Sequence, residues 1–259
     1  MKSRFAFALA TLLAAAPAAA LADGEPFWQR LLRGSSGDSS DTSVATTMMG
    51  KHMQMSVRRP ERPGDAARAE AILGSARRVL ERYRDVAEAE REGYRPFAPR
   101  GVVGEEVHYT HLWAAGREVR TFDPERPGSI LYRRTATGME AVGVMYSARG
   151  DAGPEELDAR LPLSIAVWHR HVHFCGWPKG TARADYDGPE ARFGGGSIDN
   201  EADCHAAGGY WVPLAFGWMT HVYPNESDVE RIWLGEHAMQ LPRPEGASPA
   251  GQAGHAHPH

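Results

Sequence analysis

An α+β fold, with a long N-terminal helix packed on an antiparallel β-sheet or partly closed barrel, is predicted by three observations. A helical period runs through residues 65–91, a period of two takes over near residue 106, and no internal repeat divides the 259 residues. In the first stretch Ile72, Ala76, Val79, Tyr83 and Val86 fall on one face of a helix. Asp65, just after Pro63-Gly64, is placed to cap that helix, and Gly93 to stop it; Asp85 marks a point at which so long a helix could break. Residues 106–112, 118–122, 130–134 and 139–146 then read as strands, being rich in β-branched and aromatic side chains. Residues 135–138 form a short hairpin connection, 154–160 one or two helical turns, and 163–174 a further strand. Asn200 caps a short helix that carries Cys204 and ends at Gly208-Gly209, and one or two strands around Gly217 complete the sheet.

The ends of the chain differ from this ordered part. Lys2 and Arg4 precede an apolar stretch from Phe5 to Ala16, and Ala20-Leu21-Ala22 has the small-x-small pattern of a signal peptidase site. Residues 1–22 are therefore expected to be a signal peptide cleaved after Ala22, and the protein periplasmic or secreted. The apolar stretch falls short of the roughly 18 residues that a membrane span needs. Residues 23–63 are Ser-, Thr-, Gly- and Met-rich with little periodicity and read as a flexible segment, and residues 242–259 as a disordered Pro/Gly/Ala-rich tail. A single domain, residues 64–241, lies between. Its formal charge of −4 points to neither nucleic acid nor an anionic membrane as a partner. Cys175 and Cys204, an isolated pair in an oxidising compartment, point to a disulfide.

The chemistry concentrates in Trp168-His169-Arg170-His171-Val172-His173-Phe174-Cys175. Alternate side chains of a strand share a face, so His169, His171 and His173 are expected to point the same way. The outer two would stand roughly 13 Å apart along the strand, so one ion takes at most two neighbours, and His169 and His171 are favoured. Imidazoles so spaced suit zinc, copper or iron. Further ligands must come from elsewhere. His108 and His111 point to opposite faces of their strand, so only one can join; His221 is another candidate. The expected metal set is His108, His169, His171 and His221, with Glu106 on the face of His108 as a carboxylate in reserve. Against this stands the plain alternative of buried, neutral histidines bonded to backbone carbonyls.

Met48-Met49-Gly50-Lys51-His52-Met53-Gln54-Met55 sets soft thioethers beside an imidazole, a composition suited to Cu(I), though Met is also adaptable filler. The tail histidines His255, His257 and His259 would scavenge metals whatever their role. No His-Glu-x-x-His, Gly-x-Ser-x-Gly, Cys-x-x-Cys-His or phosphate-binding loop is present. The His-x-His strand is similar to that of cupins, but their following Glu is replaced by Cys175 or Gly176. Asn225-Glu226-Ser227 matches a glycosylation acceptor and reads equally as a polar loop.

Residues 94–233 resemble a group of uncharacterised secreted bacterial proteins. The likeness is carried by Tyr94-Arg95-Pro96-Phe97, His108-Tyr109-Thr110, Phe122-Asp123-Pro124-Glu125-Arg126-Pro127 and Ser129-Ile130-Leu131-Tyr132. It continues through Gly143-Val144-Met145-Tyr146, the segment from Trp168 to Cys175, and Phe216-Gly217-Trp218-Met219-Thr220-His221-Val222-Tyr223-Pro224. The resemblance implies a bacterial, exported protein and brings no activity with it. Some similar sequences carry Asn at the positions of His111 and His173, which turns the ligand assignment away from those two.

Three functions are thus open: an exported histidine-rich protein that binds copper or zinc, a metal-dependent enzyme using the same site with Glu105, Glu106 or a spare His as general base, and a metal-free pocket for a small molecule.

Overall fold

The structure, a computed structural model, describes residues 44–97, 106–186 and 190–234. The expected signal peptide, Glu105 and the tail lie outside the described residues. The predicted α+β arrangement on one long helix is corrected: the chain is β-rich, a nine-stranded antiparallel sheet with short helices. The periodic stretch divides into α1 (Asp65–Arg82) and α2 (Val86–Arg91), because the Asp85 side chain accepts the Ala87 backbone N–H at 3.0 Å and starts a second helix. Nor does Asp65 cap α1. Gly64, at φ 91°, holds that position, while Asp65 is the first helical residue and its buried carboxylate accepts from Arg59, Ser164 and the Arg62 backbone.

The strands are β1 (Thr46–Met49), β2 (Met53–Ser56), β3 (Arg95–Pro96), β4 (Glu106–Thr110), β5 (Ser129–Arg134), β6 (Met139–Ala148), β7 (His169–Gly176), β8 (Tyr210–Leu214) and β9 (Trp218–Val222). Their order is β1-β2-β7-β9-β6-β5-β4-β3, with β8 pairing the far half of β7. Among the described residues the path is open, ending at β1 and β3. Residues 118–122, expected as a strand, instead end α3 (Leu112–Glu118) and continue as a turn. There Arg160, on α4 (Pro154–Arg160), donates to the carbonyls of Glu118 and Val119 at 2.6 and 3.0 Å, binding groups that a strand would have offered to a neighbour. Residues 46–56, expected within the flexible segment, form the β1–β2 hairpin at one edge of the sheet.

One face of the sheet packs on the helices. Ile130, Tyr132, Val144, Tyr146, Trp168, Trp218 and Val222 join the stripe Ala69, Ile72, Leu73, Ala76, Val79 and Leu80 of α1 in the main core. The tyrosine hydroxyls find acceptors, Tyr132 at the Tyr83 carbonyl (2.6 Å) and Tyr146 at the Pro124 carbonyl (3.0 Å). The far half of β7 belongs to a smaller unit. Cys175 is bonded to Cys204 on α5 (Glu201–Ala206), with 5.5 Å between their Cα atoms, and the pair packs with Phe193 and Ile198. Asn200 caps α5 as expected, accepting from the Asp203 N–H at 3.0 Å. A further helix, α6 (Val229–Leu234), follows β9. Among the described residues no helix is long and apolar enough to cross a membrane.

Candidate functional site

The other face of the same strands carries a different set of side chains. Directly paired residues of antiparallel strands project to one side. His169 pairs with Met55 of β2 and with Met219 of β9, and His171 with Met53. His221 on β9 pairs with Met145 of β6, and His108 on β4 with Leu131 of β5. Registers from β2 to β4 thus place four histidines and four methionines on the face turned away from α1.

Those histidines meet in a row. Ring centres stand 5.1 Å apart for His108–His221, 5.0 Å for His221–His169 and 5.6 Å for His169–His171. Strands β4 and β9 are three places apart, about 14 Å in a flat sheet at about 4.8 Å per strand, so this face is concave and its side chains lean together. The bulge between β5 and β6 at Leu131/Tyr132 bends the sheet in the same region. All four residues expected as metal ligands are brought into this one row. His169 is buried at 3% exposure, while His108, His171 and His221 are partly buried.

Glu106 joins the row at its β4 end, as expected from its parity with His108. Its Oε1 stands 3.6 Å from His108 Nε2 and accepts the Tyr223 hydroxyl at 3.0 Å. Tyr223 reaches it over β6 at Gly143, where a Cβ would stand 2.8 Å from the Val222 carbonyl and 2.9 Å from the Tyr223 ring. Burial lowers the His108 imidazole to about 4, so it is neutral and able to present a nitrogen lone pair at physiological pH.

Beside the row lies a cavity of about 270 Å³, lined among others by Phe97, Glu106, His108, His171, Phe216 and Met219. That volume suits a hydrated ion or a small organic molecule rather than a polymer. Behind it, the Glu118 carboxyl at the end of α3 accepts the Ser147 backbone N–H at 2.9 Å, and burial pushes it up to about 8. Sequence reasoning missed Glu118, Tyr223, Met145 and Met219. It singled out Met53 and Met55 as thioethers suited to Cu(I) but not their pairing with His171 and His169, although Met53-x-Met55 repeats the two-residue period of His169-x-His171.

Four other described histidines stand apart, one of them the exposed His205 on α5. His173 was expected to share the face of His169 and His171, but its left-handed backbone at φ 61° ends the alternation; it is exposed and stacks on Trp211. His111 caps α3, its Nδ1 accepting the Ala114 N–H at 3.2 Å. His52 Nε2 donates to the Gly196 carbonyl at 2.8 Å. Among the described residues, no three His, Cys, Asp or Glu side chains are gathered as a ready shell for one ion. No family model, curated protein or solved structure matches the chain.

Proposed function

We propose that this is an exported protein that binds copper or zinc, with the ion held among His108, His169, His171 and His221. One observation carries the reading: successive imidazoles of the row stand 5.0–5.6 Å apart, centre to centre. Two imidazoles on one tetrahedral zinc, at about 2.0–2.1 Å from nitrogen to metal, place their ring centres roughly 5 Å apart. Each neighbouring pair in the row thus has the separation expected of two ligands of one ion. The disulfide agrees with an oxidising compartment.

The test is metal content by elemental analysis on the chain from residue 23 onward, with His255, His257 and His259 changed to Ala. About one equivalent of copper or zinc is expected, as for a single site. It is lost in His169→Ala/His171→Ala. Absence of bound metal, with no uptake when copper or zinc is added, would sink this reading and leave a metal-free pocket for a small molecule.

The cavity favours a second reading built on the same ion. A metal held by these histidines would supply Lewis-acid activation of water or substrate in that space, and Glu106, which lines it, would serve as the general base. An exogenous ligand such as azide or cyanide reaching the bound metal would support it.

A further inference from the structure

The thioethers on this face decide which ion the row prefers. We infer that the site is built for monovalent copper, held by paired imidazoles and methionines; this rests on the metal-binding reading above and names its ion.

Each histidine on β7 and β9 that belongs to the row has a methionine directly opposite it on a neighbouring strand. His171 faces Met53, His221 faces Met145, and His169 has one on either side, Met55 and Met219. Directly opposite residues have Cβ atoms about 4.5–5.5 Å apart, close enough for both side chains to reach one ion. Four of the nine methionines in the chain occupy these positions. Three of them, Met55, Met145 and Met219, are buried together with His169. A thioether is soft, neutral and polarisable: it favours Cu(I), whereas zinc prefers thiolate, imidazole and carboxylate. Charge points the same way. Imidazole and thioether are neutral donors, and the carboxylate of the face, Glu106, stands at the far end of the row beside His108. Burying a monovalent ion among neutral donors takes less desolvation than burying a divalent one.

The competing account of these methionines is apolar filling of a strand face, which Leu does equally well. Met53→Leu/Met55→Leu therefore separates the two, since it keeps apolar volume and removes the sulfur. The probes are Cu(I) under anaerobic competition with a chromophoric chelator, Ag(I) as its redox-inert substitute, and Zn(II), each on the tail-substituted chain used above. The expected result is preference for Cu(I) and Ag(I) over Zn(II), with Cu(I) affinity falling roughly 10- to 100-fold in the methionine variant, the range for loss of groups around a metal. Zinc binding and the thermal midpoint of the metal-free protein stay as in the unaltered chain. X-ray absorption at the copper edge reads the same question directly: sulfur in the shell is expected, and a shell of nitrogen alone would overturn the inference. Unchanged Cu(I) binding in the methionine variant, or a preference for zinc, overturns it too while the metal-binding reading stands. No ion bound by the unaltered chain removes both.

Discussion

The two faces of the sheet are made by alternate residues of the same strands and follow different rules. On the face toward α1, Ile130, Tyr132, Val144, Tyr146, Trp168, Trp218 and Val222 are fully buried, and the tyrosine hydroxyls are bonded to backbone carbonyls. Apolar area and satisfied polar atoms account for each of these side chains. On the opposite face, five strands present imidazoles, thioethers and a carboxylate where leucine or valine would pack as well. A sheet needs two apolar faces only if both are to be covered. The departure from that pattern falls on one face, at positions that converge across the curl of the sheet.

That contrast can be broken by substitution, one face at a time. The largest effect belongs to the helical face: Ile130→Ala should lower stability by about 2–5 kcal/mol, as deletion of a fully buried aliphatic side chain does, and leave metal content unchanged in the folded protein. Urea unfolding beside elemental analysis checks this. His169→Ala/His171→Ala should instead remove the bound metal, read by the same elemental analysis.

Next in size is a pH effect seated under the site face. The folded protein keeps a proton on Glu118 up to about pH 8, whereas an ordinary carboxyl releases it near 4.5. The unfolded chain thus binds fewer protons than the folded one across that window, so Glu118 makes stability fall as pH rises from about 4.5 to 8 and level off above. Glu118→Gln, which mimics the protonated acid, should flatten this profile by up to about 5 kcal/mol between its ends. A profile as steep as that of the unaltered chain in urea titrations would assign the slope elsewhere.

The smallest effect sharpens the comparison at the row itself. Tyr223→Phe removes the hydroxyl that Glu106 accepts and should lower stability by about 1 kcal/mol, the usual size for one partly buried hydrogen bond. Because Glu106 then loses one of the groups that hold it beside His108, the His108 ring resonances should shift in NMR spectra while those of His173, on the other half of β7, stay in place.

Part of this was legible in the sequence. The period-two spacing of His169 and His171 placed both on one face, Asn200 announced its helix, residues 154–160 formed the expected turns, and the cysteine pair is a disulfide. What failed did so where distant contacts outvoted local preference. Val119 and Phe122 have strand propensity, yet the guanidinium of Arg160 binds the backbone carbonyls there. The β1–β2 hairpin has the composition of a loop, and its pairing depends on β7, far along the chain. His173 breaks the alternation through one left-handed residue, which period counting does not detect. Which strands become neighbours is likewise not written in any single period, so the meeting of His108 with His221 required the strand order itself.

The place of the β1–β2 hairpin has a consequence in time. Gln54 bonds Arg170 across 116 residues of sequence, so the strand that brings Met53 and Met55 to the histidines closes one of the longest loops in the molecule. Pairings of such long range lag behind local ones, because the chain must surrender more freedom before they repay it. On range of contact alone, the β5–β6 hairpin and the helices are expected to form before β2 docks on β7 and sets Met53 and Met55 as a clasp beside the histidines.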